Sequence, residues 1–128
     1  MSVEQIILEV DGERVAIEAI LEDEDIVAAD TATWSSTFYD SQGNVITPLS
    51  ITFSCTGSGA NRRFVVGSTP SVTYQTSNAN YSSVNVVVII SGSNRMDVYI
   101  QYTKRSNGAS GSIIGYLSFN SSGYPVWH

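Results

Sequence analysis

From Thr31 onward, turn chemistry interrupts the chain at intervals of about 8 to 12 residues, and the runs between interruptions are short, β-branched and aromatic. That spacing constrains the fold more than any other feature, because segments so short bury a core only as strands of a sandwich or barrel. The expected strands are residues 33–39, 45–47, 51–56, 62–66, 71–75, 84–90, 96–103, 113–119 and 124–127. Between them lie Asp40-Ser41-Gln42-Gly43-Asn44, the flexible 57–61, Ser68-Thr69-Pro70 and the polar 76–81. Further along come 91–94, the basic Gly/Ser/Asn loop 104–110, and Asn120-Ser121-Ser122-Gly123. Pro48 predicts a strand edge or a bend, since it has no N–H for a ladder. Residues 84–90 are nearly all apolar and β-branched, which predicts a central strand covered on both faces. No βαβ alternation and no internal repeat of useful period appears, so a parallel α/β sheet and a solenoid are disfavoured.

The first thirty residues differ. Asp11-Gly12 sits between residues 6–10 and 13–19, and this dipeptide is the strongest short hairpin signal because a type I′ turn needs positive φ at both central positions. The implied register sets Leu8 against Val15 and Ile6 against Ile17, with Glu9 against Arg14 on the other side. A helix over 15–28 competes, with Ile17, Ile20, Leu21 and Glu24 at helical spacing; the hairpin to about residue 20, followed by an acidic linker, is favoured. The chain therefore divides into an acidic hairpin and arm, 1–30, and a β-sandwich, 31–128.

Charge follows the same division. Residues 1–30 hold ten carboxylates and Arg14, a balance of −9; residues 31–128 hold Asp40 and Asp97 against Arg62, Arg63, Arg95, Lys104 and Arg105, a balance of +3. Complementary charge steers and orients partners. The acidic run Glu22, Asp23, Glu24 and Asp25 is thus a candidate contact for a basic surface, and Arg62, Arg63, Lys104 and Arg105 are its counterparts; the plain alternative is a solvated run that aids solubility. Five basic residues in the body make too weak a footprint for nucleic acid.

Charged residues are only 14% of the 128, against about 25% in an average soluble protein. Ser, Thr, Asn and Gly take their place, as in β-sandwiches of extracellular or virion settings. The longest apolar run, Val86 to Ile90, is far short of the roughly 20 residues that span a bilayer. The start MSVEQIILEV lacks the basic, apolar and cleavage regions of a secretory signal, so if the chain leaves a cell the expected route is another one, such as lysis or a dedicated machine. Cys55 has no second cysteine to pair with, and its alternation with Ile51 and Phe53 predicts a small buried residue.

The inventory for catalysis is thin. His128, at the chain end, is expected to be frayed and solvated, and with one His and one Cys the usual zinc clusters cannot form. The acids 22–25 lack EF-hand spacing, and no phosphate-cradling glycine motif occurs. The expectation is no enzyme, no catalytic residue, no metal and no cofactor. A glycan could still stack on loop aromatics, and Tyr81, Tyr124 and Trp127 are the candidates; the ordinary fate of such rings is burial.

The segment 31–48, TATWSSTFYDSQGNVITP, resembles the opening of immunoglobulin-like domains of tailed-bacteriophage virions, such as capsid decoration and baseplate proteins. There, alternating Thr and aromatic residues precede a D-x-x-G-N turn and an apolar strand; here these are Asp40, Gly43 and Asn44, then Val45 and Ile46. The resemblance covers under a fifth of the chain. It implies an immunoglobulin-like antiparallel β-sandwich with an N-terminal β-hairpin arm, and a structural subunit without an active site. The implied partners are other copies of the chain and other virion proteins, the major capsid or tail protein, with no nucleic acid and no membrane. The implied location is the virion, assembled in the host cytoplasm. The first expectation is capsid decoration or cementing; the alternative is a tail, baseplate or fibre module that binds a surface carbohydrate.

Overall fold

The computed structural model describes residues 2–10, 13–21 and 30–128, with side-chain surroundings for 30–128. Among them are ten strands and one 3₁₀ turn, Gly59–Asn61. The strands are β1 (Ser2–Val10), β2 (Glu13–Leu21), β3 (Asp30–Tyr39), β4 (Val45–Thr56), β5 (Arg63–Phe64), β6 (Ser71–Tyr74), β7 (Tyr81–Gly92), β8 (Arg95–Lys104), β9 (Ser110–Phe119) and β10 (Pro125–Trp127). One sheet has the order β1-β2-β3-β4-β5, with β6 also paired to β4; the other has the order β10-β9-β8-β7. All ladders are antiparallel, and the two sheets enclose one core, as the spacing of turns predicts. Pairing is sequential apart from β4 with β6, so the sheets are two meanders. The interleaved Greek-key order of immunoglobulin domains, in which strands distant in sequence pair, is not the order among the described strands. No described helix is long and apolar enough to cross a membrane.

The N-terminal hairpin has the register that Asp11-Gly12 implies: Ile6 pairs Ile17, Leu8 pairs Val15 and Glu9 pairs Arg14. Glu13–Leu21 is strand, which removes the competing helix over that stretch. β2 also pairs β3 from Ile17↔Phe38 to Leu21↔Trp34, so the hairpin extends the chain's own sheet. That ladder stops at Ile17. Residues 13–16 pair β1 alone and run about 13 Å beyond it at roughly 3.3 Å per residue, toward the end that carries the Asp40 turn.

β4 does not bend at Pro48. The strand runs through it, opposite Thr37, and Pro48 lies just outside the β4–β6 ladder, whose last pair is Leu49↔Tyr74. The Thr47 hydroxyl stands in for the missing ladder there, accepting from the Gln75 N–H (3.0 Å) and donating to the Pro48 carbonyl (2.7 Å).

Two aromatic clusters fix how the sheets stack. Trp127 of β10 lies parallel to Trp34 of β3 (6.0 Å between ring centres) and edge-on to Phe38, which sets β10 over β3. Phe53 of β4, Phe64 of β5 and Phe119 of β9 form the second. Ile46, Leu49, Ile51, Met96, Val98, Ile100, Ile113 and Leu117 fill the space between, and Cys55 is fully buried among them as expected. Gly115 lies beside the Trp127 ring, and any Cβ at this position would overlap it.

One strand departs from expectation. β7, which contains 84–90, is an edge strand, not a central one covered on both faces. Val84 and Val86 point into the core, whereas Val87 and Ile89 are 44% and 51% exposed. The run reads as uniformly apolar because its solvent face is apolar too, which hides the alternation.

Candidate functional site

Two features stand out on a molecule whose core is otherwise closed: an apolar strip on the outside of the four-stranded sheet, and a polar cleft between loops at one end.

The strip follows from register. Val87 pairs Tyr99, and Tyr99 pairs Ile114, so three exposed apolar side chains form a row across β7, β8 and β9. In the next row Ile89 pairs Asp97, which pairs Tyr116. Ile114, at 67% exposed, is the most open of the set. At its margin Arg95 and Asp97 neutralise each other: Arg95 Nε donates to Asp97 (2.8 Å) and the guanidinium lies 3.8 Å over the Tyr116 ring. His128 also stacks on Tyr116, 4.8 Å between ring centres, and exchanges backbone hydrogen bonds with it. Its Nε2 lies 2.7 Å from Ser118 Oγ. The terminal histidine is therefore held in the ladder, contrary to the expectation of fraying, because β9 offers it a strand partner.

The cleft, about 490 Å³, lies between the β3–β4 turn, the segment before β7 and the β8–β9 loop. Asp40 builds its first wall. Oδ1 accepts from the backbone N–H groups of Gln42 (3.0 Å) and Asn44 (2.9 Å), and Oδ2 from the Asn44 side chain (3.3 Å) and the Tyr81 hydroxyl (2.9 Å). Burial pushes the Asp40 carboxyl upward, but these hydrogen bonds outweigh it and hold it below the ordinary 3.8. The carboxylate is thereby a structural anchor with every lone pair engaged, not a free base.

Asn78 holds in place residues 79–81, which form the second wall. Its Nδ2 donates to the carbonyls of Val45 and Ile46 (3.0 Å each), and its Oδ1 accepts from the N–H groups of Asn80 (2.9 Å) and Tyr81 (3.0 Å). Its carbonyl accepts from Arg105 Nε (2.7 Å). Asn78 was not singled out by sequence; the Asn-x-Asn-Tyr run signals a side-chain-closed turn, but not the reach to β4.

The residues expected to act are scattered. Lys104 and Arg105 line the cleft, as does Tyr81, but the Tyr81 ring is 1% exposed and cannot stack on a ligand. Trp127 is core, and half-buried Tyr124 belongs to the turn at the opposite end, so the three do not form a stacking site. Arg62 is also a correction: it is 2% exposed, and its Nη1 donates to the Gly123 carbonyl (2.8 Å), tying the β9–β10 turn to the 3₁₀ turn. Arg63 is exposed at that same far end, with Nη1 on the carbonyls of Ala60 and Arg62. Glu22, Asp23, Glu24 and Asp25 lie outside the described residues. No group of three or more potential metal ligands occurs among the described residues.

No family model, curated protein or solved structure matches this chain.

Proposed function

We propose that the chain is a structural, non-catalytic subunit of a virion of the tailed-bacteriophage kind, attached by protein contacts to a repeating lattice, with capsid decoration as its role. The observation that carries this reading is the strip formed by Val87, Tyr99, Ile114 and Ile89. Single exposed apolar residues are ordinary on monomers, but apolar residues aligned across three strands make a contiguous patch of the kind that marks a protein interface. The patch includes residues of β7, an edge strand of its sheet among the described residues, and an edge strand is a natural template for a neighbouring chain. The acidic 1–30 and basic body supply the complementarity that orients copies on a lattice, where many modest contacts replace one strong one. The resemblance of residues 31–48 to virion domains supplies the class of particle.

Ile114→Asp tests the reading. It places a charge at the most exposed point of the strip while leaving the core untouched. The expected outcome is unchanged thermal stability of the isolated chain with loss of its incorporation into particles. Normal incorporation of the variant would refute the use of this face.

A further inference from the structure

We infer that the cleft between the β3–β4, β6–β7 and β8–β9 loops binds a carboxylate-bearing saccharide, with Arg105 receiving the carboxylate. This stands independently of the virion reading.

Arg105 is built in place. Its backbone N–H donates to the Asn80 carbonyl (3.0 Å) and its Nε to the Asn78 carbonyl (2.7 Å), so one edge of the guanidinium is fixed by a turn that Asn78 itself closes. The two terminal nitrogens donate to nothing among the described residues. A guanidinium held by Nε, with its remaining donors presented to solvent, suits the paired oxygens of a carboxylate. Among the described residues the carboxylate in the lining is Asp40, which is engaged by Gln42, Asn44 and Tyr81. Lys104 also lines the cleft.

The rest of the lining argues for a polyol. Exposed Ser41, Gln42, Asn80 and Ser106 line the cleft, and their side chains make no hydrogen bond among the described residues. They offer both donors and acceptors to ring hydroxyls. The volume falls within the usual range for small-ligand sites, about 300 to 1,000 Å³, but the lining is polar where most such sites are apolar. The one aromatic residue in the lining among the described residues, Tyr81, is buried with its hydroxyl on Asp40, so its ring face is not available for stacking. A neutral sugar would therefore lack its principal apolar contact, whereas a charged one gains the Arg105 fork.

Nuclear magnetic resonance titration of the full chain, labelled with ¹⁵N, tests this with glucuronate, its neutral methyl ester and inorganic phosphate. Glucuronate is expected to shift Arg105 Nε–H and the Gln42 and Asn80 side-chain amides saturably, with the ester about tenfold weaker or worse for want of the charge-assisted pair. Arg105→Ala should abolish the shifts. Because that variant also removes the bond to Asn78, Ser106→Glu serves as the second: it keeps Arg105 in place, sets a competing carboxylate in the cleft and should abolish binding with an unchanged melting temperature. Equal binding of the ester, phosphate binding as well as glucuronate, undiminished binding by Ser106→Glu, or no saturable shift in the wild-type chain would each overturn the assignment.

Discussion

Asp40 and Asn120 close the two ends of the sandwich with the same device. Each side-chain Oδ1 accepts from the N–H groups two and four residues on, each backbone N–H donates to the carbonyl four residues on, and a glycine with φ +83° stands at the fourth position of each turn. An amide is thus sufficient for the turn itself. What distinguishes Asp40 is the ionised oxygen that receives the Tyr81 hydroxyl. Asp40→Asn should accordingly keep the turn and cost less than Asp40→Ala, which leaves several N–H groups without an acceptor and is expected to cost about 1–3 kcal/mol in urea unfolding. Because the folded-state pKa lies below 3.8, the ionised form favours the fold: its contribution is fully present above 3.8 and drains away as pH falls through the lower folded-state value. Unfolding measured down that acid range should show the gap between wild type and Asp40→Asn narrowing. The D-x-x-G-N turn was legible in sequence because all its partners lie within four residues. Tyr81, forty-one positions away, was not, and its burial turns a supposed stacking ring into a support for the cleft.

Among the elements, those joined by short turns were the readable ones. The β1–β2 register follows from two central residues, and the β7–β8–β9 meander from polar turns between apolar runs. Placement across the sandwich was not readable, since nothing local tells β10 to lie over β3 or β7 to stand at an edge. Residues 84–90 mislead for a definite physical reason: an edge strand with an apolar outer face has the same composition as a central strand covered twice. The excess of Val and Ile was real, and it marks the surface proposed for attachment. Gly115 is the counterpart on the inner side. Inside β9 it leaves room for the Trp127 ring, so Gly115→Ala must displace the ring that stacks on Trp34. The expected cost is about 1–3 kcal/mol, the usual effect of overpacking, with altered tryptophan fluorescence in the folded protein. Unchanged stability and emission would mean that β10 does not lie as described.

At the scale of the molecule, the two proposed surfaces differ in place and chemistry. The apolar strip lies on the outer face of β7, β8 and β9, whereas the cleft and the overhanging hairpin share the end marked by the Asp40 turn. Arg62 and Arg63 lie at the other end, so the basic residues of the body do not make one continuous field. This favours separate, weak contacts over a single charged interface, as a lattice-bound subunit requires. The proposed attachment is tested most directly by cryo-electron microscopy of the intact particle that carries the chain, at a resolution that traces its strands. Copies are expected at symmetric lattice positions with Val87, Ile89, Tyr99 and Ile114 against a neighbouring protein. Recovery of the chain only as a free monomer, or on a particle with that strip facing solvent, would contradict it.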